Sequence, residues 1–171
     1  MNRILIANRL ELPSGRVIRS MHRHDYVTAE EDGVKYMVDG GLEYLRRSLA
    51  GKDASIYADA PYPIVRTYLS WGSFGPKGDR PLAWVALKYM DKEHIEAVLA
   101  EPFKLDPWRV YYMEQELEFR NGNIAIEDVV GWHDAERIRN ELSSGVLQSS
   151  SEGESTSEGG EEDSEGLCGE D

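Results

Sequence analysis

Residues 22–26 read His-Arg-His-Asp-Tyr. On a strand, side chains at i and i+2 lie on one side, so His22 and His24 could grip one divalent metal, with Asp39 as a third ligand. The same residues support a metal-free site. His22, His24, Asp25 and Asp39, together with Arg46 and Arg47 of the following Tyr-Leu-Arg-Arg segment, would offer cations and donors to a phosphate or carboxylate. A third reading has no ligand: Arg23 and Asp25 lie at a core edge and find partners there, and the segment is a polar corner fastening strands to a helix. The sequence leaves all three open. It calls for no cofactor, and the divalent metal is the only candidate.

These residues take their places from the elements around them. The N-terminal third reads as an antiparallel β-meander, with strands over residues 3–12, 16–29 and 34–38. Pro13-Ser14-Gly15 forms the first turn, and Asp32-Gly33 is a two-residue hairpin turn. That turn sets Tyr26 opposite Asp39, Val27 opposite Val38 and Thr28 opposite Met37. Alternation then puts His22, His24, Tyr26, Thr28, Met37 and Asp39 on one face. Met21, Arg23, Asp25, Val27, Ala29, Tyr36 and Val38 share the other, more apolar face, which should look inward. The Asp39-Gly40-Gly41 break should start a helix over residues 42–50, capped by Asp39.

Beyond it, residues 55–58 suggest a short strand and residues 61–71 a helix beginning near Pro63. The loop 72–81 has glycines and a lysine, but Gly78 stands after Lys77 where a phosphate loop needs Ser or Thr, so it reads as a connector. Residues 82–90 alternate like a strand. Asp91 should cap a helix over 92–100, and Asp106-Pro107 should open another that Asn121-Gly122-Asn123 stops. In that helix Val110, Met113 and Leu117 mark the core stripe, while Glu114, Glu116 and Glu118 fan around it without converging. Residues 124–130 read as a short strand or extended link, and 134–142 as a last helix. No His-Glu-x-x-His motif, nucleophile elbow or Ser-His-Asp signature is present.

The formal charge of −13 is mostly local. Residues 143–171 carry nine acids and no Lys or Arg, which leaves 23 acids against 19 bases over residues 1–142. Such a body lacks the clustered cations that nucleic acid requires. The Ser/Gly/Glu-rich tail has too few apolar residues to fold and should be disordered. The only cysteine, Cys168, lies in that tail, so the body has no disulfide or thiolate zinc site. The N-terminus has no signal-peptide core, and no apolar run nears the ~18 residues of a membrane span. A cytoplasmic protein without membrane contact is expected.

Four blocks also bear a resemblance: residues 21–28 around His-Arg-His-Asp-Tyr, residues 36–48 with Asp-Gly-Gly and Tyr-Leu-Arg-Arg, the loop 71–82, and the helix with His94-Ile95-Glu96-Ala97. In this order they resemble a family of small, functionally uncharacterised proteins of tailed bacteriophages, over roughly residues 9–120. The resemblance implies a setting in the host cytoplasm and no particular chemistry. The acidic tail departs from the family's pattern. The expectation is a single α+β domain over residues 1–142, an N-terminal meander with packed helices, and a disordered tail over 143–171. Its expected role is binding a host protein, in host takeover or counter-defence, rather than catalysis. The alternative is a nucleotide or signalling-metabolite binder or hydrolase built from the residues named above.

Overall fold

The computed structural model describes residues 3–22, 25–40, 46–101 and 105–149. They form an α+β fold in which seven antiparallel strands come first and helices follow, with one further hairpin between the first two helices. The chain divides into two units, residues 1–136 and 137–171.

In the first unit, β1 (Leu5–Glu11) is the spine of one sheet. Its Asn8–Glu11 half pairs with β2 (Val17–Ser20), while β6 (Lys52–Asp53) and β7 (Ile56–Tyr57) also pair with it. A second sheet runs β3 (Tyr26–Glu31), β4 (Val34–Asp39), β5 (Arg46–Arg47). Its hairpin has the register expected from the Asp-Gly turn, Tyr26↔Asp39 through Glu31↔Val34. Asp32 and Gly33 both take positive φ, 50° and 76°, as a type I′ turn requires. The inward face is also the expected one: Ala29, Tyr36 and Val38 are buried with Leu10, Leu12 and Ile18 in one apolar cluster, with Val27 packed against it.

Two expectations fail here. The long second strand is broken at the His-Arg-His-Asp-Tyr segment, and its halves, β2 and β3, join different sheets. The cause is side-chain hydrogen bonding that competes with the ladder. The Asp25 carboxylate accepts the Met21 N–H at 2.8 Å, and the Ser20 hydroxyl reaches the carbonyls of His22 and Asp25. Likewise, Arg46 and Arg47 are strand residues on the β4 edge, paired with Asp39 and Val38, where a helix was expected. An isolated nine-residue helix is marginal, whereas an open sheet edge and the Asp39 carboxylate offer Arg46 immediate partners. Asp39 therefore ends a strand, and residues 46–50, the described part of the expected helix, are not helical.

The helical part comprises α1 (Tyr62–Tyr68), α2 (Lys92–Ala100), α3 (Pro107–Arg120) and α4 (Trp132–Ser149). Between α1 and α2 lie the hairpin β8 (Ser70–Ser73), β9 (Ala83–Ala86) and a 3₁₀ turn over Leu87–Tyr89. The glycine-rich loop is the hairpin's connector, folded back by Arg80 N–H to the Phe74 carbonyl. Residues 124–130 form a 3₁₀ turn over Ile126–Asp128 with extended flanks. Asp91 and Asp106 occupy the N-cap positions of α2 and α3, but neither side chain makes a capping bond. Asp106 pairs with Arg109 instead. At the end of α3, Gly122 turns left-handed (φ 76°), and the N–H groups of Gly122 and Asn123 close on the carbonyls of Phe119 and Glu118, so the helix stops.

The buried face of α3 is rotated from the stripe expected. Trp108, Tyr111, Tyr112, Met113 and Glu116 are buried, while Val110 and Leu117 are only half covered. The Tyr112 hydroxyl donates to the Ala58 carbonyl and accepts the Trp132 N–H, joining the residue after β7, α3 and the start of α4. Within the second unit α4 continues through Ser149, stabilised by an Arg137–Glu141 pair. The rest of the acidic tail lies outside the described residues. Among the described residues, no helix is long and apolar enough to cross a membrane.

Candidate functional site

Of the six residues named from sequence, the five that are described do not form one site. His22 is half-buried, its ring stacked on Trp84 with centroids 5.4 Å apart and planes at 19°. Asp25 serves the turn just described. Asp39 and Arg46 are brought together, as a 2.6 Å cross-strand ion pair. Arg47 points elsewhere, to Asp53 and the Ser55 hydroxyl. His24 lies outside the described residues. Among those described, no three His, Cys, Asp or Glu side chains stand where they could hold a metal.

What gathers instead around Asp39 and Arg46 is structural. Asn8, fully buried on β1, donates from its amide to the carbonyls of Asp39, Gly40 and Arg46 at 3.0–3.4 Å. It ties the first sheet to the second, and a buried amide so used is scaffold. A second buried polar centre lies in the helical core. Glu116 has no exposed surface and accepts from the Tyr62 hydroxyl at 2.6 Å, from Arg66 through two nitrogens, and from Arg120 at 2.8 Å. Burial alone would raise its carboxyl, but the hydrogen bonds from Arg66, Tyr62 and Arg120 outweigh it and hold the group below the usual carboxylate range. Burial, and then the adjacent Glu116 carboxylate, push the Tyr62 phenol far up. Burial also pushes Tyr112 up to about 12. Arg120 spends its remaining donors on the carbonyls of Leu87 and Met90, at either end of the 3₁₀ turn.

That turn carries the site sequence reasoning missed. A cleft of about 270 Å³ opens between β2, the end of α1 and the β8–β9 hairpin. Arg19 lines it from β2, Tyr68 from α1, Trp84 from β9, and Lys88 and Tyr89 from the turn. The hairpin register explains the orientation. Ser70↔Ala86 and Gly72↔Trp84 put these four residues on one face, while Trp71 and Val85, on the other, pack against the helical core. Opposite the indole, Gly72 leaves room: a Cβ there would stand 3.0 Å from Leu82 and 3.6 Å from Trp84.

The cleft's charge is unusual for so acidic a chain. In the β1–β2 register Arg9 lies directly opposite Arg19, a like-charge pairing that sheets normally avoid. The Arg9 guanidinium stacks 4.3 Å over the Tyr68 ring and bonds the Ala54 carbonyl. Lys88 stands 4.7 Å over the Tyr89 ring. None of these three cations has an acidic partner among the described residues. Cations stacked on rings beside a ring-lined hollow bind and orient anions.

Comparison with protein-family models, with curated proteins and with solved structures returns no match.

Proposed function

We propose that this protein acts by binding, and that its cleft takes a small anionic ligand. The observation carrying this reading is that Arg19 and Lys88 line one ring-lined hollow, with Arg9 opposite Arg19 on the neighbouring strand and stacked on the lining Tyr68, and that none of the three has an acidic partner among the described residues. Setting like charges opposite one another on paired strands costs stability, and an anion offsets it. Within the phage setting that the four sequence blocks suggest, the ligand would be a host metabolite. The small-molecule reading thus takes precedence, at a site other than the His-Arg-His-Asp-Tyr corner. The test is calorimetric titration of the full chain with inorganic phosphate and pyrophosphate at low and high salt. Binding that weakens with salt and is lost in Arg19→Ala/Lys88→Ala supports the reading, and no heat with either anion removes it.

A second reading, capture of a host protein, is favoured by a different observation. Phe74 and Leu82 are 54% and 47% exposed where they flank the last registered pair of the β8–β9 hairpin, and Tyr89 is 70% exposed nearby in sequence. This reading requires that Phe74→Asp/Leu82→Asp abolish a stoichiometric host complex while leaving anion binding intact.

A further inference from the structure

The rings narrow the ligand class beyond a small anion, an inference that rests on the cleft reading above. All three rings already carry a partner: Arg9 lies over Tyr68, Lys88 over Tyr89, and His22 is stacked parallel on Trp84. The Tyr68 stack holds a guanidinium in place. The His22 stack does something different, because it fixes an indole in the cleft wall as a flat surface. Trp84 lines the hollow, and the missing Cβ of Gly72, across the hairpin, spares its ring a contact at 3.6 Å. A phosphate alone would need none of this.

We infer that the ligand is a nucleoside monophosphate, its base stacked on the Trp84 indole and its phosphate met by Arg19 and Lys88, with Arg9 reinforcing the charge behind Tyr68. Indole–base stacking is strong and tolerant of base identity, because every base presents a π-face. Arginine suits phosphate through its planar fork, and lysine adds a point charge. The Ser70 hydroxyl, also on the lining, is a donor or acceptor for the sugar. Size sets the upper limit. About 270 Å³ lies just under the ~300 Å³ at which drug-sized ligand pockets begin, which leaves no room for a dinucleotide.

The experiment is one titration series on the full chain, by calorimetry with tryptophan emission in parallel. The ligands are adenosine and uridine 5′-monophosphates, the matching nucleosides, ribose 5-phosphate and inorganic phosphate. The expected order is nucleotide tightest, with ribose phosphate and phosphate weaker by about tenfold or more, the fold-change that one base stack supplies. Trp84→Ala should reduce nucleotide affinity to the ribose-phosphate level and leave phosphate unchanged. Arg19→Ala should reduce it toward that of the nucleoside. Trp84→Phe, which keeps a ring, should recover part of the loss and guards against a fold defect in Trp84→Ala. If ribose phosphate or phosphate binds as tightly as the nucleotides, the nucleotide inference is overturned and the anion reading stands. If nucleosides match their nucleotides, or if no ligand binds, both are overturned.

Discussion

The buried carboxylate Glu116 makes the most exacting test of how the helical core is held. In Glu116→Gln the shape is retained and the charge is lost. Tyr62, Arg66 and Arg120 then share a neutral amide with one acceptor in place of two charged oxygens. Removing one member of a buried ion network costs about 3–5 kcal/mol, because the remaining charges stay desolvated. Here the guanidinium side chains keep 18% and 23% of their surface, so they recover some hydration, and the amide still accepts one bond. The buried Tyr62 hydroxyl has no such outlet. The lower end follows, about 3 kcal/mol. Urea unfolding followed by tryptophan emission reads this directly. With a slope of ~1.5–2 kcal/mol/M the midpoint should fall by roughly 1.5–2 M, and the slope should not change. Tyr62→Phe should cost about 1 kcal/mol, and the double variant less than the sum of the singles. A loss below ~1 kcal/mol in Glu116→Gln would refute the argument, since it would equate a buried network with an exposed pair.

Further consequences are open to measurement. The folded Glu116 carboxyl sits below its ordinary value of 4.5, so its contribution is fully present above that value and is lost as pH falls through the lower, folded value. Stability should therefore be level from pH 7 to about 5 and fall below ~4.5, with a shallower fall in Glu116→Gln. Gly33→Ala forces a Cβ into φ 76° and should cost about 1–2 kcal/mol in a thermal melt, whereas Asp32→Gly should be tolerated. Asp25→Ala should remove about 1 kcal/mol and the exchange protection of the Met21 amide, with Asp25→Asn retaining much of both. His22→Ala should cost about 0.5–1.5 kcal/mol through the lost stack and alter tryptophan emission, and an unchanged spectrum would place the imidazole away from Trp84.

The parts of this fold that were legible in sequence are those fixed by short-range chemistry. Asp32-Gly33 admits one turn type, so the register and inward face of the β3–β4 hairpin followed. Asn121-Gly122 likewise marked the end of α3. The long strand through residues 22–26 was misread because alternation records only burial. It is blind to an aspartate and a serine that satisfy backbone groups locally. The Tyr-Leu-Arg-Arg helix was misread because helical spacing competes with a sheet edge that sequence does not display. Glu116 carried an unread signal: with Trp108 and Tyr112 it repeats every four residues, which places it on the buried face. The cleft was partly recoverable. Pairing across Pro13-Ser14-Gly15 sets Arg9 against Arg19, an arrangement that invites explanation. Trp84, Lys88 and Tyr89 reach that place only through tertiary packing, and no local pattern reports it.

Arg120 grips the turn that bears Lys88 and Tyr89 by its carbonyl oxygens alone. A carbonyl is common to every residue type, so this grip is indifferent to which side chains project from the turn. Leu87 is committed to the core, but positions 88 and 89 can change identity while their backbone stays in place. Variation in what the cleft accepts can then accumulate at these two positions without refolding its wall. Related chains that keep the Glu116–Arg120 pair yet differ at 88 and 89 would be expected to share the architecture and diverge in ligand.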